Sequence, residues 1–263
     1  MTPPMRLDVA AWPVPDIAAR LPAHDAVVVT SRLADDDALL ADALAVLDRE
    51  ERQRYDSYAN ATVARRFALG RAILRGVLGA ATNVAPAEVP LHTGLHGKPK
   101  LTGASNGPWF SIAHSEDLYV VALSTVGEVG IDVERHRAIE QWERVADRVL
   151  DANERLQLAA EVGAGEEPGR VFLRHWCRVE AELKAVGSGI AGLEAHRAGR
   201  RPAGLRLAEC ETLPLPGTEA GVSPRYQLAV ALCSPSRDSE FQMTDASAQA
   251  SSPVTIPATA SMA

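Results

Sequence analysis

Apolar residues recur along the first half of the chain with the two periods that distinguish strands from helices. The segments AVVVTSRL (26–33), WFSIAHS and LYVVALS are short and rich in β-branched or aromatic residues, which predicts strands. In TVARRFALGRAILRGVLGAA, Val63, Phe67, Leu74 and Leu78 recur at offsets of four, seven and four, so they form one stripe of a helix. The acidic stretch DDDALLADALAVLDREERQRYDSY is also predicted to be helical.

The second half of the chain alternates in a similar way. Residues 138–175 predict helices interrupted by the glycine-rich EVGAGEEPGR, and the helix FLRHWCRVEAELKAV is predicted to end at GSG. RLAEC and YQLAVALC predict further strands. YVVALS (119–124) resembles LAVALC (228–233), which indicates two related halves. We expect an α+β fold of two similar subdomains, each a small antiparallel sheet packed against helices.

The predicted domains follow from these patterns. The turn STVGE separates residues 1–126 from residues 127–235. Residues 236–263 are rich in Ser, Ala, Thr and Pro with few apolar positions, which predicts a disordered tail.

Composition narrows the classes of function. The 263 residues are 46% hydrophobic and 23% charged, which is typical of a globular protein, and a net charge of -7 argues against nucleic acid as the main partner. No apolar run approaches the roughly 18 residues of a membrane span, and the first residues lack the order of a signal peptide. Three cysteines without paired spacing indicate neither a disulfide framework nor a zinc site. We expect a cytoplasmic protein without membrane or nucleic-acid partners.

The segment VGIDVERHR (129–137) raises a chemical question. Its β-branched residues predict a buried strand, and Asp132 and Glu134 then project from the same face. Two adjacent carboxylates repel each other, so a proton, a basic partner or a cation must compensate them. The simplest alternative is that they end an edge strand in water, with Arg135 and Arg137 neutralising them.

A second constellation lies on the helix WCRVEAELK. Trp176, Glu180 and Lys184 are spaced at i, i+4 and i+8, which places them on one face. Glu180 and Lys184 could form a simple surface pair, but the neighbouring Trp176 favours a partly buried carboxylate that needs a partner or ligand. Three carboxylates with water suit magnesium, which usually takes further oxygens from a substrate phosphate.

Basic groups that could bind such a phosphate precede the acidic residues. Lys98 lies in the turn GKP, and His114 ends the strand FSIAH. Arg66, Arg71 and Arg75 lie off the apolar stripe of their helix, and we interpret them from the pattern alone as a solvated flank. Near a magnesium site these groups would suit a diphosphate and a phosphate ester.

Taken together, these motifs resemble the 4'-phosphopantetheinyl transferases, specifically the larger, surfactin-synthetase-activating type. GKP, FSIAHS, VGIDVE and WCRVEAELKAVG occur in that family's order, and RRFALGRAILRGVLG is similar to its first basic helix. The motifs cover roughly residues 40–195, and the topology plausibly 5–235. The resemblance implies the family's fold, with coenzyme A contacts in residues 1–126 and the metal and catalytic residues in 127–235.

The resemblance also implies roles for individual residues. Asp132, Glu134 and Glu180 match the acids that hold magnesium, and Glu180 is also the candidate general base. Lys184 matches a lysine near the coenzyme A phosphates. Glu180 and Lys184 are the catalytic residues that the resemblance implies. The remaining coenzyme A contacts are His114, at the 3'-phosphate, together with Lys98, Arg54 and Arg66. The implied partners are coenzyme A and an acyl or peptidyl carrier protein, and the length of the chain implies a monomer.

Two departures from the family pattern keep other interpretations open. Val179 stands where a lysine is common before the catalytic glutamate, and Ala113 stands where a serine is common before the histidine. These residues allow an inactive homologue that only binds coenzyme A or a carrier. An unrelated magnesium-dependent phosphoryl-transfer enzyme would need its own phosphate loop, and the chain has no Walker-type motif.

Overall fold

A computed structural model describes residues 4–9, 17–33, 36–93, 99–102, 107–216 and 224–234. Lys98 and the predicted tail, 236–263, lie outside the described residues. The strands are β1 (Met5–Val9), β2 (Val27–Arg32), β3 (Leu91–Thr93), β4 (Pro99–Leu101), β5 (Trp109–Ser115), β6 (Leu118–Ser124), β7 (Glu128–Arg135), β8 (Leu205–Pro214) and β9 (Arg225–Cys233). The helices are α1 (Asp37–Val46), α2 (Arg49–Ser57), α3 (Ala61–Thr82), α4 (Trp142–Val149), α5 (Ala152–Gly163), α6 (Pro168–Val186) and α7 (Leu193–Arg197). The expected α+β class is confirmed.

The strands form two main sheets and a small hairpin. The first sheet has the order β1-β2-β6-β5 and the second has the order β7-β9-β8, while β3 pairs with β4. Among the described strands the neighbours are antiparallel, as expected, except that β1 runs parallel to β2.

A topological repeat relates the two sheets. In both β2-β6-β5 and β7-β9-β8, the strand that comes last in the chain lies between the other two. The helix α3 packs on the first sheet and α6 packs on the second. The sequence similarity between YVVALS and LAVALC does not follow this repeat. It aligns Val120 and Ala122, which face the opposite sheet, with Ala229 and Ala231, which face α6. A slip of one residue inverts the faces of a strand, so that alignment cannot mark equivalent positions.

The core places α6 directly over β7. The two sheets pack face to face through residues such as Val28, Val120, Ile131 and Val230. On the other face of β7, a Cβ atom at Gly130 would lie 1.9 Å from the carbonyl oxygen of Ala181, so only glycine allows α6 this close. Asp132 and Glu134 share that face, because alternate residues of a strand point the same way.

The acidic stretch forms two helices. The first ends at Val46, and Asp48 caps the second in a reciprocal capping box, in which Asp48 Oδ1 accepts from the Glu51 N–H at 2.9 Å and Glu51 Oε2 accepts from the Asp48 N–H at 3.2 Å. The spacing Asp-x-x-Glu is the sequence signal for this break.

The interpretation of the basic flank of α3 is wrong for Arg75. This side chain is 1% exposed, and its Nε donates to Glu51 Oε2 at 2.6 Å. It also pairs with Asp48 and donates to the carbonyl oxygens of Pro86 (3.2 Å) and Val89 (3.1 Å). A buried guanidinium requires such partners, so Arg75 ties α2 and the segment before β3 to α3.

Candidate functional site

The acidic residues of β7 lie beneath α6, and α6 supplies a cation to them. Lys184 Nζ donates to Asp132 Oδ1 at 2.8 Å. Asp132 is 7% exposed, so the alternative in which this acid ends an edge strand in water is wrong. Although burial lowers the pKa of Lys184, the Asp132 and Glu180 carboxylates raise it above its ordinary value, which keeps the ammonium charged.

The second oxygen of Asp132 lacks a ligand. Asp132 Oδ2 is buried, and no nitrogen or oxygen of the described residues donates to it. The Cys177 thiol interacts with the Asp132 carboxylate, but a thiol is a weak donor, and its sulfur also lies 3.5 Å from the Gln227 carbonyl oxygen. A buried carboxylate oxygen without a partner is costly. A bound cation would satisfy it.

The charge of Asp132 affects the pKa values of both Glu134 and Glu180. Burial and then the charge of Asp132 raise the pKa of Glu134 to about 7. Burial and then Asp132 also raise the pKa of Glu180, while Lys184 opposes the rise. Because each carboxylate responds to Asp132, the three acids of the sequence-derived metal site form one interacting group.

The donor chemistry of this group fits a hard divalent cation. Asp132, Glu134 and Glu180 offer carboxylate oxygens, which magnesium prefers. Asp132 Oδ2 has no hydrogen-bond partner among the described residues, and burial, followed by the charge of Asp132, raises the pKa values of both glutamates, so a bound cation would stabilise the ionised form of all three acids. A cation that keeps some of its waters can bind acids that are not in mutual contact.

A tighter acidic group is already neutralised by the protein. Ligand atoms of Asp151, Glu154 and His196 all lie within 4.8 Å of one another. However, the Arg201 guanidinium donates to Asp151 Oδ2 at 2.7 Å and to Glu154 Oε1 at 2.8 Å. This network joins the beginning of α5 to the segment between α6 and β8, and its geometry is that of a structural ion pair.

Basic groups gather beside the acids. Burial lowers the pKa of His114, and the charges of Lys184 and Arg66 lower it further, which shows that these three side chains share one region. The His114 ring stacks on Tyr119 with centroids 6.3 Å apart. Arg66 Nη2 donates to Asp117 Oδ1 at 2.8 Å, with both side chains about half exposed.

The other predicted coenzyme A contacts have different positions. Arg54 is exposed on α2, where its Nε donates to the Tyr58 hydroxyl at 3.1 Å and its guanidinium lies 5.2 Å from the centre of the Phe67 ring. It therefore borders α3 at Phe67, the residue that follows Arg66. Lys98 falls outside the described residues, so its prediction has no structural counterpart.

The two departures from the family pattern lie away from the acids. Val179 is fully buried in the cluster that α6 forms with α4 and α5, on a different side of α6 from β7. Ala113 is 7% exposed and packs between the two sheets.

Pattern reasoning missed two residues that contact predicted site residues. Ser115 donates to Glu134 Oε2 at 3.3 Å, and Asp117 binds Arg66. Ser115 ends β5 directly after His114, and Asp117 lies in the turn between β5 and β6, so the sequence signal is their position close after the histidine in FSIAHSED.

Comparison with known proteins identifies the family of the chain. The family model of the 4'-phosphopantetheinyl transferase superfamily matches residues 128–228, which carry all three acids and Lys184. The chain is 34% identical over 160 residues to the 4'-phosphopantetheinyl transferase HetI of Nostoc sp., covering 60% of this chain and 67% of the relative. The chain belongs to the 4'-phosphopantetheinyl transferase superfamily. It is therefore a transferase.

Other relatives give the same result over shorter spans. A putative 4'-phosphopantetheinyl transferase of Synechocystis sp. is 34% identical over 149 residues, which is 56% of this chain and 60% of the relative. The 4'-phosphopantetheinyl transferase AcpT of Salmonella typhi is 33% identical over 118 residues, 45% of this chain and 59% of the relative. The chain thus spans about three fifths of the length of these two relatives. None of the helices in the described residues is long and apolar enough to cross a membrane.

Proposed function

We propose that the protein transfers the 4'-phosphopantetheine arm of coenzyme A to a serine hydroxyl of an apo carrier protein. The products are the holo-carrier and adenosine 3',5'-bisphosphate, and the carrier is an acyl or peptidyl domain of polyketide or nonribosomal peptide biosynthesis. Superfamily membership supports the reaction class. The observation that carries the proposal is the group of three acids shared between β7 and α6, beside the basic group of His114, Arg66 and Lys184.

Asp132, Glu134 and Glu180 are the proposed magnesium ligands. The unsatisfied Asp132 Oδ2 supports this assignment. Bound there, Mg²⁺ would neutralise the charge that grows on the diphosphate as its anhydride bond breaks.

The basic side chains are proposed to hold the phosphates of coenzyme A. Transfers of this kind depend mainly on positioning and on charge stabilisation of the phosphoryl oxygens. Lys184 would face the diphosphate because it already reaches the acids, and His114 would face the 3'-phosphate. Arg66, Arg54 and Lys98 complete the proposed contacts.

Glu180 is the proposed general base for the serine hydroxyl. A carboxylate is an efficient base when its pKa approaches the working pH. Burial and Asp132 raise the pKa of Glu180, which moves it in that direction. Because a bound cation would favour the ionised carboxylate, Glu180 would accept the serine proton either directly or through a metal-bound water, while Asp132 stays paired with Lys184.

The remaining proposals concern the assembly and its surroundings. The repeat of β2-β6-β5 by β7-β9-β8 supports the larger, pseudo-dimeric type, which would be active as a monomer. The free cysteines Cys177, Cys210 and Cys233 are compatible with the cytoplasm. With a net charge of -7, the protein would dock an acidic carrier through a local patch, not by overall attraction.

The test is a transfer assay. The protein is incubated with an apo-carrier, coenzyme A and Mg²⁺, and the carrier is examined by mass spectrometry for the added arm. We expect modification by the wild type and none by Asp132→Ala. An unmodified carrier across a panel of acyl and peptidyl carriers would overturn the proposal, and full activity of Asp132→Ala would remove Asp132 from the site.

A further inference from the structure

Two serine hydroxyls connect the two main sheets. β5 and β7 belong to different sheets, yet Ser111 Oγ accepts from the Ile131 N–H at 3.3 Å and Ser115 Oγ accepts from the Arg135 N–H at 3.0 Å. The four-residue spacing is the same on both strands, so β5 and β7 run in the same direction at this junction.

The two serine hydroxyls differ in their hydrogen-bond partners. A hydroxyl has one proton to donate and two lone pairs to accept with. Ser115 Oγ is 3.3 Å from Glu134 Oε2 and donates to it, whereas Ser111 makes its described contact with the Ile131 N–H. Arg137 Nη1 approaches the same oxygen of Glu134 at 3.4 Å.

These contacts determine where the Glu134 carboxylate points. Ser115 of β5 and Arg137 both contact Oε2, so these two contacts leave Oε1 as the oxygen available to a metal ion. Ser115 also follows His114 directly on β5. A single hydroxyl therefore links the strand of a proposed phosphate contact to the carboxylate of a proposed metal ligand.

We propose that Ser115 is a positioning residue for the metal centre, which orients Glu134 from the opposite sheet and sets the offset between the metal and the 3'-phosphate subsite. The inference rests on the proposed function, because it requires Glu134 to be a metal ligand. Hydrogen-bond partners behind a metal ligand typically change metal affinity by 10–100-fold when they are removed.

Ser111 provides a matched control for Ser115. The test measures Mg²⁺ binding by titration calorimetry, with coenzyme A present throughout, in the wild type and in the variants Ser115→Ala, Ser111→Ala and Ser115→Thr. Thermal melting of each variant gives its loss of stability. Both alanine variants leave one β7 N–H without its serine acceptor, so both should melt at lower temperature.

The expected result separates the two roles. Ser115→Ala should bind Mg²⁺ roughly tenfold more weakly, Ser111→Ala should bind it as the wild type does, and Ser115→Thr should restore binding. Equal Mg²⁺ affinities for the two alanine variants would overturn the inference and leave the metal site intact. A wild type that binds no Mg²⁺ would overturn the metal assignment as well.

Discussion

Lys184 and Asp132 form an ion pair of 2.8 Å that joins α6 to the strand beneath it. The pair places a permanent positive charge between the acid of β7 and Glu180, one helical turn earlier on α6. The lysine satisfies one oxygen of Asp132 and leaves the other for a ligand. Lys184 therefore neutralises only part of the negative charge of the acids, and a divalent cation can neutralise the rest.

Glu180→Gln should lower kcat far more than it weakens coenzyme A binding. Loss of a general base typically costs 10²–10⁴-fold in rate, whereas the amide keeps the shape of the side chain. Steady-state kinetics and calorimetry measure the two quantities.

Glu182→Gln is the matched control on the same helix, since Glu182 binds Arg201 at 3.0 Å and has no proposed catalytic role. It should reduce stability and leave kcat unchanged. Equal losses of kcat and coenzyme A affinity in Glu180→Gln would contradict the base role.

Stability should depend on pH through Glu134. Its pKa is about 7 in the folded protein and 4.5 ordinarily, because burial and Asp132 favour the protonated form. The folded state then holds more protons between these values, so the free energy of unfolding should fall as pH rises from about 4.5 to 7 and level off above. Glu134→Gln should reduce this slope in denaturant titrations.

Glu209 allows the contribution of Glu134 to be separated. Burial and then Glu211 raise the pKa of Glu209 to about 7 as well, on β8. With coenzyme A and Mg²⁺ present, the contribution of Glu134 to the pH dependence of the free energy of unfolding should disappear, because the cation replaces the proton. The contribution of Glu209 should remain. If the difference in pH dependence between the wild type and Glu134→Gln stays the same with Mg²⁺ and coenzyme A present, Glu134 is not a ligand.

His114 should contribute to recognition of the 3'-phosphate. Burial, Lys184 and Arg66 lower its pKa below 6.5, so the ring is neutral at pH 7 and its protonated form is favoured by a phosphate. Coenzyme A affinity should therefore increase as pH falls toward that pKa. Affinity for dephospho-coenzyme A, measured by the same calorimetry, should not increase, and His114→Ala should remove the difference between the two ligands.

Arg75→Met should destabilise the fold without a direct effect on the site. Removing one partner of a buried ion pair typically costs about 3–5 kcal/mol, and Arg75 is the buried partner of Glu51 and Asp48. Arg66→Met is the control, since its pair with Asp117 is about half exposed and surface pairs contribute roughly 0–1 kcal/mol. Urea denaturation should show the contrast, and a similar loss in both variants would contradict it.

Local patterns predicted what depends on local periodicity. Alternation along VGIDVE put Asp132 and Glu134 on one face, and the four-residue spacing put Glu180 beside Lys184. That the strand and the helix face each other was implied by the family resemblance, not by either pattern. The break between α1 and α2 was readable from the capping box of Asp48 and Glu51.

Other features depend on contacts between distant parts of the chain. The burial of Arg75 depends on Glu51, 24 residues earlier, so a position off the apolar stripe gave no signal for it. Ser115 reaches β7 across 19 to 20 residues. The similarity of YVVALS to LAVALC pointed to a repeat that exists in topology but not in that register, because sequence letters do not show which face of a strand is buried.

A crystal structure with coenzyme A and Mg²⁺ tests the central claim most directly. The account predicts one ion bound by oxygens of Asp132, Glu134 and Glu180 and by the diphosphate, with Oδ2 of Asp132 among its ligands. An ion bound at Asp151, Glu154 and His196 instead, or a Glu180 side chain directed away from the diphosphate, would contradict it.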